Sequence, residues 1–367
     1  MTSLKSSAAP LSYPDPPRSI TQKECEEALG YDGSFYLKSR FAVCAGLHMV
    51  QIWKERGVPK GTSEFNVWLL GTVSKDTDRQ VTFEFQFTRF KKIGTAHTSA
   101  FMVTPDPKVA KKWPSTAQAS QGGSIPGPKS WDALKLTSPA KFIHTLTVAP
   151  GQGSNGTDDL VSAAYVATIN TKWPSGYVDG TPSAKLDMLV PRWDAAKYLK
   201  NSTGGSDPTK RGAAAFSYMP SLVYHSKAGA PEKAVADHIK KAYTDPKSTK
   251  PTNPAKRLPG QSGKEPLHRI FRDTKRHDRN RTVAVANCKK YWGPKYTDGG
   301  KECDEFPFAS TYEGAAEDEY GDAKKNNFSV QPLDGKQNQD AGTLLKSFYG
   351  KMRLIDGLDD GFLVKVD

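Results

Sequence analysis

The stretch QVTFEFQFTRF, residues 80–90, constrains the fold more than any other part of this chain. Val81, Phe83, Phe85 and Phe87 alternate with Thr82, Glu84, Gln86 and Thr88. Successive side chains of a strand point to opposite faces, so a period of two sets one apolar face against a core and one polar face outward. HMVQIW (48–53), EFNVWLLGTV (64–73), TSAFMV (98–103), LVSAAYVATI (160–169) and AKLDMLV (184–190) are further short segments of the same kind. With 31 glycines and 26 prolines to turn the chain between strands, they predict an all-β, antiparallel sandwich or barrel over residues 21–226. Residues 104–140, rich in Pro, Lys, Ser and Gly, read as a long loop inside it. Residues 1–20, rich in Ser and Pro, read as a disordered N-terminus.

The texture changes after residue 226. PEKAVADHIKKAY (231–243) predicts a helix that opens at Pro231 and puts Val235, Ile239 and Ala242 on one face. Residues 244–266 hold five prolines and no aromatic residue, so 227–266 reads as a helix followed by an extended linker. Residues 267–367 read as a separate α+β domain. NRTVAVANCKKYW (280–292) and DAGTLLKSFYGKMR (340–353) are helical, the second with an apolar stripe of Ala341, Leu344, Leu345, Phe348, Tyr349 and Met352. NFSVQPL (327–333) and GFLVKV (361–366) are strands. The apolar fraction is only 37%, but aromatic rings make up 10% of the chain and bury enough area for packed cores.

Charge and cysteine narrow the setting. A net charge of +13 points to a polyanionic partner: nucleic acid, an anionic surface or a cell-wall polymer. The four cysteines fall into two local pairs, Cys25 with Cys44 and Cys288 with Cys303. Disulfides in a secreted protein explain such pairs; zinc does not, because no Cys-x-x-Cys spacing occurs. No apolar run is long enough to span a membrane. The first residues have no signal-peptide h-region, so an exported chain implies a leader absent from this sequence or another route.

Between residues 251 and 300 there are twelve Lys or Arg and four Asp or Glu. From 304 to 322 there is no Lys or Arg, and Asp304, Glu305, Glu313, Glu317, Asp318, Glu319 and Asp322 are acidic. Metal-dependent cleavage of a nucleic acid needs this juxtaposition. Basic groups hold phosphate, and carboxylates hold a hard cation or take a proton from water. An exposed acidic loop paired with the basic stretch would read the same way. No nucleophile elbow, Walker loop, dinucleotide fingerprint or His-Glu-x-x-His site is present.

CDEFPFASTYEGA (303–315) resembles the signature of the NucA/NucB family of bacterial secreted deoxyribonucleases. PLHRI (266–270), the approach to Cys288, and NQDAGTLLKSFYGKMRLIDG (338–357) are similar to further parts of that family, so the resemblance covers about 258–367. It implies a C-terminal domain like a reduced ββα-metal fold and metal-dependent endonucleolytic cleavage of DNA; no groove-reading motif is visible, so little sequence preference is expected. Mg²⁺ or Mn²⁺ would be the cofactor. Mapped onto this chain, it implies Asp304 as general base and Glu305, Glu313 and His268 as further catalytic candidates. Asp304, Glu313 and Asn338 are the metal candidates. Arg269, Arg272, Lys275, Arg276 and Arg279 are the candidates for holding DNA, and RNA is a possible substrate. Glu305 is one residue from Asp304 on an extended segment and should point to the opposite face. Asn338 should sit just before its helix, where it would also serve as N-cap. The family reads Asp-Asn-Arg where this chain has Gln337-Asn338-Gln339. That departure keeps open a rival reading, a non-catalytic secreted protein that binds nucleic acid or an anionic surface and carries a degenerate nuclease domain; a third reading is an antibacterial DNase toxin with an inhibitor protein as partner.

Overall fold

The computed structural model describes residues 10–30, 35–75, 79–153, 158–180, 182–199, 212–321 and 325–367. Part of the expected disordered terminus, residues 1–9, lies outside the described residues, as does Asp322. Residues 10–20 form neither helix nor strand but are not disordered as expected: Tyr13 donates to Ser221 O at 3.1 Å and its ring meets Phe348 edge-on at 5.0 Å. The chain divides into two compact units, residues 16–218 and residues 219–367 together with the segment ending at Asp15.

In the first unit, helix α1 (Gln22–Leu29) precedes strands β1 (Phe35–Ser39), β2 (Ala42–Glu55), β3 (Val58–Thr72) and β4 (Gln80–Gly94). Then come β5 (Met102–Trp113), β6 (Ser120–Gly123), β7 (Lys129–Ser130), helix α2 (Trp131–Leu136) and β8 (Ala140–Thr147). β9 (Val161–Lys172), β10 (Val178–Asp179), β11 (Ser183–Leu186), β12 (Pro191–Trp193) and β13 (Ala214–Phe216) complete it. One sheet runs β1-β2-β3-β4-β8-β6, with β10 beside β2; the other runs β13-β12-β9-β5-β7, with β11 beside β9. Both sheets bury their apolar faces in one core, where Phe83 of β4 stacks on Tyr165 of β9 at 3.7 Å. The alternation along β4 holds for Val81, Phe83, Phe85 and Phe87, all fully buried. On the other face Gln86 and Thr88 are also covered, and Thr88 accepts a hydrogen bond from the Trp68 indole at 3.0 Å. Cys25 of α1 is disulfide-bonded to Cys44 of β2.

Two expectations are corrected here. The segment 104–140 is not one long loop. Its first part continues β5, antiparallel to β9 from Met102 to Trp113, and prolines at 105 and 107 are accommodated within that pairing.

The second correction concerns the boundary. In the second unit, β14 (Ser221–Tyr224) pairs in parallel with β18 (Gly361–Val366), near the C-terminus, so this unit begins at residue 219 and not at 267. Between these two strands lie α3 (Lys233–Thr244), β15 (Leu267–His268), α4 (Thr274–Trp292), β16 (Lys301–Phe306), β17 (Ser329–Asp334) and α5 (Gly335–Lys351). The proline-rich segment 244–266 is packed rather than extended. Leu258 is buried in the unit's main core. The Lys256 ammonium is buried against backbone, donating to Pro251 O at 2.6 Å and to Thr249 Oγ1 at 2.8 Å. A lysine head with carbonyl partners keeps its hydrogen bonds on burial, which composition alone does not register.

Candidate active site

Strand β16 is held on both sides. Cys303 is bonded to Cys288 of α4, and Glu305, two residues on, meets Arg281 of the same helix. Asp304 meets His238 of α3, and Phe306 packs edge-on against Tyr243 of that helix at 5.1 Å. Alternation therefore sends Asp304 and Glu305 to opposite helices. Both nonetheless line one cavity of about 200 Å³, together with Asn338, Arg281, His277 and Ser310.

Asp304 is buried, and its Oδ2 lies 2.5 Å from His238 Nδ1. Against an ionised carboxylate, which only accepts hydrogen bonds, Nδ1 is the donor. His238 Nε2 is 2.7 Å from Ser329 Oγ, which completes the ring's partners. Sequence reasoning missed His238. It lies on α3, ahead of the expected domain start at 267 and 66 residues from Asp304, and the signal was a lone histidine beside Ile239 on an apolar helix face.

Glu305 accepts from Arg281 Nη1, which also donates to Cys303 O at 2.5 Å. Burial of the Glu305 carboxyl outweighs the Arg281 guanidinium and, with the neighbouring Asp304 charge, pushes its pKa up to about 7. The Arg281 side chain is 40% exposed and uses only one terminal nitrogen in these contacts, so its remaining N–H groups can serve a ligand.

Asn338 is not an N-cap. Asp334 caps α5, accepting from Gln337 N at 2.9 Å, and Asn338 lies inside the first turn. Its Nδ2 donates to Glu302 Oε2 at 2.9 Å, and Gln339 Nε2 donates to the other oxygen at 2.6 Å. Gln337 Oε1 accepts from Ala234 N at 2.7 Å, a cap for α3 that its own N-cap residue, Glu232, does not supply. The two glutamines that depart from the family pattern thus each hold a neighbouring element.

Glu313 is placed apart from this cavity. Its carboxylate accepts from the His268 backbone N–H at 2.9 Å and from His268 Nδ1 at 2.6 Å. The Glu313-Gly314 turn is held by Asn280, whose Nδ2 donates to Ala309 O and Thr311 O and whose Oδ1 accepts from Ala316 N. A Cβ on Gly314 would fall 2.3 Å from Asn280 Nδ2, so close approach explains this glycine. Of the following acids, Glu319 pairs with Arg279, while burial and the nearby Glu313 raise the Glu317 pKa to about 7.

The five basic residues expected to hold DNA do not line the cavity. Arg269 donates to Leu354 O at 2.8 Å, Arg272 pairs with Asp356, and Arg279 forms a two-pronged pair with Glu319. Arg276 lies over the Tyr320 ring at 4.3 Å, and Lys275 is exposed. The basic groups that do line it are Arg281 and His277, one helical turn apart on α4.

Among the described residues, no group of three His, Cys, Asp or Glu side chains is placed to hold a metal ion, and no helix is long and apolar enough to cross a membrane. Asp304, Glu305 and Asn338 nevertheless bring hard oxygen atoms to one cavity. Magnesium-type ions accept one or two carboxylates and keep several waters, so this donor set fits such an ion. No curated protein and no solved structure matches the chain. Residues 261–364 match the family described as Deoxyribonuclease NucA/NucB, and the C-terminal region of this chain is accordingly of the NucA/NucB deoxyribonuclease type.

Proposed function

We propose that the second unit is a divalent-metal-dependent endonuclease that hydrolyses DNA phosphodiester bonds at the cavity bounded by Asp304, Glu305, Arg281 and Asn338. The observation that carries this reading is the convergence on one cavity of these groups, all four from the family-matched residues. Asp304 is the general base. It takes a proton from water as the oxygen attacks phosphorus and the P–O bond to the leaving sugar oxygen breaks. Arg281 holds a non-bridging phosphate oxygen through the N–H groups that Glu305 leaves unused. Glu305 keeps that guanidinium in place, and Asn338, oriented by Glu302, offers Oδ1 to the cavity. A Mg²⁺ or Mn²⁺ ion held by oxygens of Asn338 and Glu305 would acidify water and offset the charge that builds on phosphate, with Asp304 Oδ1 left to take the proton.

The strand-strand-helix order β16, β17, α5, with the base on the strand and the asparagine on the helix, supports a reduced ββα-metal arrangement. The two disulfides suit an extracellular setting. Gln337 and Gln339, where the chain departs from the family pattern, both have partners at the site's edge, which supports an intact site.

The test is cleavage of supercoiled plasmid in Mg²⁺ or Mn²⁺. The native protein should nick and linearise it, and chelator or Asp304→Asn should reduce the rate at least about 100-fold. Retarded but uncut DNA in both metals would refute the reading.

A further inference from the structure

Helix α3 lies wholly ahead of the family-matched residues 261–364, yet it reaches the centre of the site. Val235 lines the cavity, while His238 lies behind it and does not. The ring is 2% exposed and is held at both nitrogens, by Asp304 Oδ2 at 2.5 Å and Ser329 Oγ at 2.7 Å. A group so enclosed does not meet substrate. It does determine where Asp304 points, because a carboxylate with one oxygen bound has only the other, Oδ1, to offer the cavity.

The surroundings of α3 point the same way. Gln337, beside the cavity residue Asn338 on α5, accepts from Ala234 N and fixes the start of the helix that carries His238. Val235, Ala236, Ile239 and Ala242 are buried in the core shared with Phe306 and Leu345, which fixes its rotation. His238 is thus delivered to Asp304 by a helix tied at its end and packed along its length.

We propose that His238 is a positioning residue for Asp304, so that the catalytic unit of this chain begins ahead of the recognisable nuclease region. Its Nδ1–H donates to Oδ2 and holds the carboxylate in the orientation that reaches water; Ser329 Oγ–H donates to Nε2 and holds the tautomer. The inference deepens the nuclease reading and rests on it.

Two substitutions separate positioning from mere packing. In His238→Asn the amide nitrogen takes the place of Nδ1 and can still donate to Asp304. In His238→Gln it takes the place of Nε2 and reaches Ser329 instead. Each keeps one polar contact of the buried ring. With plasmid or short duplex DNA and Mn²⁺, His238→Asn should retain kcat within about five-fold, whereas His238→Gln should lose about 30- to 100-fold in kcat. KM and DNA affinity should stay within about two-fold in both. The second readout needs no activity: crystal structures of both variants should show the Asp304 carboxylate in place in His238→Asn and turned in His238→Gln. Equal kcat losses in the two variants, or an unmoved Asp304 in His238→Gln, would overturn the proposal. If the native protein cuts no DNA, the nuclease reading fails while the crystal comparison still decides whether His238 positions Asp304.

Discussion

Asn280→Ala should destabilise the second unit by about 3–4 kcal/mol, although residue 280 touches none of the reacting groups assigned above. Asn280 is fully buried on α4 and makes three hydrogen bonds, at 2.9 Å to Ala309 O, 3.0 Å to Thr311 O and 3.0 Å from Ala316 N. Alanine removes all three at once. Thr311 O keeps the Gly314 N–H at 3.1 Å, so its loss is a modest one. Among the described residues Ala309 O and Ala316 N–H make no other hydrogen bond, and each such buried group costs roughly 1–2 kcal/mol when left bare. A further few tenths to about 1 kcal/mol comes from the cavity left by the amide. Ala309 itself lines the cavity with Asp304 and Glu305, so loosening residue 309 reaches the site and should lower cleavage as well.

Urea unfolding, followed through the transition of the nuclease unit, measures the stability term. The chain has two units, so that transition must be assigned first, for example by the shift that Asp304→Asn or added Mn²⁺ produces. Asn280→Asp is the sharper control. It keeps the acceptor for Ala316 N but turns a second oxygen toward two carbonyls, and it should be at least as harmful as alanine. Gly314→Ala, whose new methyl meets the Asn280 amide, should cost about 1–3 kcal/mol alone and distinctly less in the Asn280→Ala background. A loss below about 1 kcal/mol for Asn280→Ala, or a tolerated aspartate, would refute the assignment of these hydrogen bonds.

Glu305→Gln tests the raised pKa. A carboxyl that titrates near 7 when folded and 4.5 when unfolded favours the folded state below pH 4.5, and that stability is lost as pH rises through 7. The glutamine variant should lack this fall, on the order of 3 kcal/mol at full strength, in urea titrations at pH 4.5 and 8. Reducing Cys288–Cys303, which closes a separation of 15 residues, should cost about 3 kcal/mol and slacken the strand bearing Asp304, seen as a lower urea midpoint with Cys288→Ala/Cys303→Ala as control. A fragment of residues 261–367 should show no cooperative unfolding, because it lacks Leu222, Tyr224, Val235, Ala236, Ile239 and Ala242 from the unit's main core. Residues 219–367, which restore them, should be markedly more stable in the same assay.

What could be read from the sequence was what depends on neighbours along the chain. The period of two in 80–90, the stripe along 340–353 and the two local cysteine pairs each follow from adjacent residues, and each corresponds to a strand, a helix or a disulfide. What depended on distant pairing was lost. Residues 221–224 join a sheet through a strand at 361–366, so the linker reading of 244–266 failed along with the domain boundary. His238 and Asp304 come together across 66 positions that carry no periodic signal linking them.

The basic residues that do not line the cavity are a different case, because their geometry was within reach. Arg269, Arg272, Lys275, Arg276 and Arg279 were expected from the basic stretch without regard to which side of an element they occupy, but a helix selects by phase. Cys288 fixes the phase of α4, since its bond to Cys303 turns that face of the helix toward the strand of Asp304 and Glu305. Stepping back from Cys288 by helical spacing reaches Ala284, then Arg281, then His277. Ala284 is buried beside the disulfide, Arg281 meets Glu305, and His277 and Arg281 both line the cavity. Arg279, two positions from Arg281, turns away and meets Glu319 on the surface. The disulfide therefore does more than close a loop. It sets the rotation of α4, and that rotation decides which of its many cations face the carboxylates of the site.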